Sequence, residues 1–274
     1  MKKRVQSQTG GSTREKKVCW FGFKDHLVVD STYELPVAFA VTEASVSDTT
    51  QLIPLIEKLM TRHPQIVENC EVITADKAYD SIENYTVPLQ RFGIKAVIAN
   101  RLLWRDEQTR PVFSDRAEPH VYDENGSVWC MCPDCKLGEL SKMPMVWTGY
   151  EKDRQTIRFT CQAKHYDTTC PNRHLCTKHT IRIKLHTDPR IFCAVARNSY
   201  KWQRCYNKRT GVERVFARMD TVLGFEDHTI RGMAKMKLWV TVSYSIMLAM
   251  AIGRIRANQA DRLRSLSAPV RLRA

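Results

Sequence analysis

The stretch Tyr206–Asp220, YNKRTGVERVFARMD, gathers the side chains best suited to phosphate and metal chemistry. Wound as a helix at about 100° per residue, Tyr206, Arg209, Glu213 and Asp220 fall within roughly a 60° arc. One narrow face then carries a phenol, a guanidinium and two carboxylates, while Val212, Val215 and Met219 turn to a core. A charged helix face is ordinarily only solvated, so this one gains meaning from acids elsewhere. Asp76 is such an acid. EVITA (71–75) reads as a short buried strand, and Asp76 stands where it emerges into a loop, the usual place for a functional residue in an open α/β sheet. A helix cap or turn is the ordinary role of an Asp there. Beside Glu213 it would present oxygen ligands to Mg²⁺ or Mn²⁺, which suits phosphodiester chemistry.

The cysteines are a second constellation. Cys132 and Cys135 form a Cys-x2-Cys knuckle, followed by Cys161, Cys170 and Cys176, with His165, His174 and His179 nearby. This resembles structural Zn²⁺ spacing, although the distal intervals are irregular, and buried free thiols are the alternative. Zinc would staple a segment expected to have little apolar core of its own. Ten cysteines without a secretory signal point to a reducing compartment.

The elements that must position the acids follow in order. Residues 1–17 read as a flexible basic lead-in. CWFGFKDHLVVD and ELPVAFAVTEA form a β-hairpin turning at Asp30 and Ser31. Ser47 or Asp48 caps a helix with the stripe Leu52, Ile53, Leu55, Ile56 and Leu59, which Pro64 ends. After the EVITA strand, Asp80 or Ser81 starts a second helix, Gly93 closes it, and 94–99 is another strand. The order β-β-α-β-α-β predicts an α/β fold: a partly parallel sheet flanked by helices. Residues 18–99 are its first part, 100–197 a Cys-rich insertion, 198–258 two closing helices (199–222 and 229–258), and 259–274 a basic tail.

Net charge is +14, and it sits at the ends. Residues 197–274 hold sixteen Lys/Arg against five Asp/Glu, and residues 1–17 six against one, so the middle is slightly acidic. Basic ends point to a polyanion partner. Arg254, Arg256, Arg262, Arg264, Arg271 and Arg273 form a candidate phosphate-contacting set, a solvated tail being the alternative. Trp104, Trp129, Trp147 and Trp202 could stack on unstacked bases, although packing in a core or interface is the more ordinary role. The longest apolar run, Leu238–Ile252, is short for a bilayer span and reads as a core helix.

The runs KVCWFGFKDHLVVDSTYELPVAFAVTEASVSD, ITADKAYDS, GIKAVIANR and YNKRTGVERVFARMDTVLGFEDHTIRG, taken together, resemble bacterial insertion-sequence transposases of the DDE type. The likeness spans Lys17 to Arg256. It implies an RNase H-like mixed sheet with the Cys-rich insertion before the last catalytic helix. It also implies Mg²⁺- or Mn²⁺-dependent cleavage and joining of double-stranded DNA at element ends and target, by a homodimer on DNA in the bacterial cytoplasm, at the nucleoid, without a membrane. In that family the Asp of the ADKxYDS motif is the second catalytic acid, here Asp76. The Glu of the Tyr-x2-Arg-x3-Glu-x6-Lys signature is the third, here Glu213 with Tyr206 and Arg209. Asp220 stands where the signature has Lys, leaving Arg214 or Arg218 to contact phosphate. The first acid lies on a strand preceding the hairpin, and residues 1–17 contain no Asp. Asp30 is the substitute candidate. The expectation is a truncated copy inactive alone, the alternatives being a non-catalytic DNA-binding relic or inhibitor and a zinc-stabilised nucleic-acid-binding protein.

Overall fold

A computed structural model describes residues 2–3, 17–18, 22–101, 104, 109–115, 119–131, 142–168, 170 and 178–266. In chain order the strands are β1 (Lys2–Lys3), β2 (Lys17–Val18), β3 (Phe23–Val29), β4 (Pro36–Glu43), β5 (Val72–Ala75), β6 (Lys95–Ile98), β7 (Arg110–Pro111), β8 (His120–Tyr122), β9 (Val128–Met131), β10 (Lys142–Glu151), β11 (Thr156–Cys161) and β12 (Thr180–Lys184). The helices are α1 (Leu52–Arg62), α2 (Pro64–Glu68), α3 (Ile82–Phe92), α4 (Gln162–His165), α5 (Tyr200–Asn207), α6 (Thr210–Leu223) and α7 (Met233–Arg256). The chain divides into two compact units, Met1–Ser47 with Arg214–Ala274, and Asp48–Glu213.

In the first unit β3 and β4 pair antiparallel, from Phe23 opposite Glu43 to Val29 opposite Pro36. The expected turn residue closes the hairpin: Asp30 Oδ1 accepts from Thr32 N at 3.0 Å and Tyr33 N at 2.6 Å. Helix α7 lies across both strands. The core between them is Val41, Val215, Met219, Phe225, Met236, Val240, Tyr244, Met247 and Leu266. Helix α7 is long and apolar enough to cross a membrane, with a mean hydropathy of 1.5 over its most apolar window. One side packs in the core as expected, while the other leaves Leu238, Val242, Ile246 and Ile252 exposed.

The second unit begins with α1, whose Leu52, Leu55, Ile56 and Leu59 are buried as the stripe requires. Pro64, expected to stop this helix, also opens α2 from its first turn, where a missing N–H costs nothing. Strands β5 and β6 run parallel, Val72 opposite Lys95 through Ala75 opposite Ile98. Ser81 starts α3 by accepting from Asn84 N at 3.3 Å, and Gly93 ends it in the left-handed region (φ 72°). The crossover between the two strands is therefore built from the predicted start and stop residues.

The segment 100–197 departs from expectation. It folds as an antiparallel meander in the order β7-β8-β9-β10-β11-β12. Its core holds Val112, Tyr122, Val128, Met145, Ile157, Phe159, Ile181, Ile183, Ile191, Phe192 and Ala196. The expectation of little apolar core is thus overturned. Alternate residues of β11 and β12 fill one face, giving Ile157, Phe159, Ile181 and Ile183 inward positions. The expected single mixed sheet is also divided. Among the described residues the hairpin and the parallel pair form separate two-stranded ladders.

Candidate active site

Asp76 leaves β5 in extended conformation (φ −78°, ψ 176°) and caps the short 3₁₀ turn Lys77–Tyr79. Its Oδ1 accepts from Ala78 N at 2.8 Å. The turn role and the loop position after a strand are both realised, although only Ala75 of that strand is buried and its other residues are half-buried.

The predicted single helix 199–222 is broken. Helix α5 ends at Asn207 and α6 begins at Thr210, with tight bonds from Arg209 N to Tyr206 O (3.0 Å) and Gly211 N to Lys208 O (3.0 Å) across the break. The Thr210 hydroxyl donates to Asn207 O at 2.9 Å, taking a carbonyl that the helix would otherwise have used. Ser199 caps α5, accepting from Trp202 N at 3.1 Å. The helix then lies against β5 and β6, with Lys201 Nζ 3.3 Å from Glu71 Oε1.

Across the break Tyr206, Arg209 and Glu213 stay in contact, whereas Asp220 is not part of that group. Arg209 Nη1 donates to Glu213 Oε1 at 2.5 Å, and its guanidinium stands 5.4 Å from the Tyr206 ring centre. Burial pulls the Arg209 pKa down, but the Glu213 bond and charge, with Tyr206 and Asp76, hold it above its ordinary value. Asp76, Tyr206, Arg209 and Glu213 therefore share one unit and one electrostatic neighbourhood. Asp76 Oδ2 and Glu213 Oε2 take no hydrogen bond from the described residues.

Other predicted positions are engaged elsewhere. Arg214 Nε and Arg218 Nη1 donate to Glu34 at 2.8 and 2.6 Å, and Arg264 lies 3.6 Å from the same carboxylate. The phosphate role expected of Arg214 and Arg218 is corrected to this extent: their charge is first spent on a Glu that is 1% exposed. Asp220 accepts from Glu226 N at 3.0 Å and shapes the turn after α6. Asp30 is occupied by its hairpin turn in the other unit. Arg254 is fully buried, so its place among surface phosphate contacts is also corrected, while Arg271 and Arg273 lie outside the described residues.

Of the zinc candidates, Cys161 is buried and Cys170 half-buried, both as free thiols; Cys132, Cys135 and Cys176 lie outside the described residues. Among the described residues no three His, Cys, Asp or Glu side chains gather in a group able to hold a metal ion. Trp104 is covered by Arg110, 3.8 Å from its ring centre, and Trp147 packs on the meander core.

Sequence reading missed a buried network beside Asp76. Asp80 accepts from Arg190 Nε at 3.1 Å, Arg101 N at 2.7 Å and Tyr85 Oη at 3.1 Å. Arg197, also buried, donates to Ile98 O at 2.7 Å and Tyr85 Oη at 2.6 Å. Only the second Asp of ADKAYDS hinted at it, and nothing near that motif announces Arg190 or Arg197.

The transposase DDE domain family model matches residues 3–249. The chain belongs to that family. A putative transposase for insertion sequence element IS402 of Burkholderia cepacia is 39% identical over 85 residues, covering 29% of this chain and 38% of that protein. The match to that relative thus spans well under half its length. No solved structure matches the chain. Arg209 is the group that feels the charges of both Asp76 and Glu213.

Proposed function

We propose that this chain is the core of an insertion-sequence transposase that binds double-stranded element ends and, with Asp76 and Glu213 as metal-holding acids, cuts and joins DNA. The observation that carries this reading is Arg209, which is bonded to Glu213 and raised in pKa partly by Asp76, and so ties a strand-end acid to a helix acid. Among the described residues Asp76 and Glu213 each keep one carboxylate oxygen without a hydrogen bond, a hard donor set that fits Mg²⁺ or Mn²⁺. When bound, the ion supplies positive charge to activate an attacking oxygen and stabilise a leaving one. Tyr206 and Arg209 meet the phosphate beside it. The basic ends hold the duplex, and two copies on two ends in the bacterial cytoplasm complete the assembly.

A second reading is favoured by the acid count. Two carboxylates hold a cation more weakly than three, and no three-residue metal group occurs among the described residues. The chain then binds element DNA without cutting it. Incubating the purified chain with labelled duplex and Mn²⁺ separates the two. Cleavage lost on Asp76→Ala supports the enzyme, binding without cleavage supports the second reading, and absence of duplex binding overturns both.

A further inference from the structure

We infer that Trp202 is a positioning residue: its indole aligns Tyr206 and, through Tyr206, holds the Arg209 guanidinium on Glu213. This rests on the reading of Asp76 and Glu213 as the acids. The Trp202 and Tyr206 rings stack with centres 4.7 Å apart and planes 15° from parallel. Arg209 lies 5.4 Å from the Tyr206 ring centre, and Arg197 lies 5.9 Å from that of Trp202. The result is a column of cation, indole, phenol and cation that ends on Glu213.

Three observations give the column a task. First, the backbone breaks between Tyr206 and Arg209, so helical geometry alone does not set the angle between them. The stacked rings reach that break from the α5 side. Second, the Arg209–Glu213 pair is open to solvent on the Glu side, where an ion pair by itself holds two long side chains weakly. A ring face under the guanidinium restricts its motion. Third, the buried Trp202 Nε1 donates to no described group, and the same is true of Arg209 Nε. A buried indole usually pairs its N–H. This one is held by its faces instead.

The base of the column is rigid. Arg197 is fixed by Ile98 O, Arg190 O and Tyr85 Oη. Trp202 is fixed at the helix start by Ser199, whose hydroxyl donates to Ala196 O at 2.6 Å. The end of the meander segment thereby sets the ring on which the acid-bearing turn rests.

The test is the Arg209 Nε–H resonance of the full chain labelled with ¹⁵N-arginine, assigned by its loss in Arg209→Lys. A guanidinium held over a ring gives a ring-shifted, slowly exchanging signal. It persists in Trp202→Phe and moves to the free-arginine position in Trp202→Leu and in Tyr206→Leu, which leaves Trp202 in place. Mn²⁺ affinity, read by electron paramagnetic resonance, falls about tenfold in Trp202→Leu and returns in Trp202→Phe. An Arg209 signal unchanged in Trp202→Leu overturns the positioning role, whatever Tyr206→Leu or manganese does. Manganese binding indifferent to both Asp76→Ala and Glu213→Gln overturns the acid reading, and the proposal with it, even if the signal moves.

Discussion

Arg190 grips both carboxylate oxygens of Asp80 across 110 residues of sequence, and the Asp80 side chain has no solvent exposure. Burial alone would push the Asp80 pKa up; Arg190 and the Arg101 N–H outweigh it and hold the pKa below the ordinary value. The motif that supplies Asp76 thus supplies, four residues on, the anchor of the meander. Asp80→Ala leaves Arg190 without its carboxylate and should cost about 3–5 kcal/mol in urea denaturation. The carboxylate's contribution is present above its ordinary value of 3.8 and is lost as pH falls through the lower folded value. Asp80→Ala should therefore remove part of the wild-type acid instability.

Glu34 combines two costs that substitutions can separate. It is 1% exposed among Arg214, Arg218 and Arg264, and its φ of 54° lies in the left-handed region. Glu34→Ala loses the ion pairs and keeps the strain, a loss of about 3 kcal/mol or more. Glu34→Gly loses the same pairs and relieves the strain, so it should be about 1 kcal/mol more stable than Glu34→Ala. Equal urea midpoints for the two would show that the backbone stores nothing there.

Asp25 has the opposite linkage sign. Burial pushes its carboxyl up from 3.8 to about 6, only partly offset by the Tyr244 hydroxyl, and its Oδ1 has no partner among the described residues. Between those values the folded chain holds a proton that the unfolded chain has released. Stability should therefore fall as pH rises from about 4 to about 6, and stay reduced above it. Asp25→Asn should flatten that slope and raise stability at neutral pH, by at most about 3 kcal/mol and less where solvent screens the group. Thermal midpoints at pH 4 and pH 7.5 decide it.

What the sequence disclosed, and what it hid, divides along the range of the interactions. Asp30 at the hairpin, Ser81 and Gly93 at the ends of α3, and the α1 stripe each act within a few residues, so their side-chain types announce them. Asp76 and Glu213 were legible as types at a strand end and on a helix face. The break at Lys208–Arg209 was not, since it arises from the Thr210 hydroxyl taking Asn207 O and carries no Gly or Pro before it. The meander core escaped because in β11 and β12 the inward residues alternate with Arg158, Thr160, Arg182 and Lys184, which disguises the apolar pattern. Arg190, Arg197, Arg254 and Glu34 escaped for another reason: charged side chains read as surface until a distant element covers them.

The site should separate stability from function at Arg209. Its bond to Glu213 joins residues four apart on a solvent-facing surface, where such a pair contributes roughly 0.3–0.5 kcal/mol. Neither end is buried deeply enough for its loss to leave a stranded core charge. Arg209→Ala should therefore melt within about 2 °C of the wild type. Its effect on the acids is of another kind, because Glu213 loses the group that orients Oε1. Mn²⁺ binding and any metal-dependent nicking should fall by at least about tenfold, while duplex binding carried by the basic ends changes by less than about threefold. A variant that loses several degrees of thermal stability and binds Mn²⁺ normally would reverse this account and make Arg209 a structural residue.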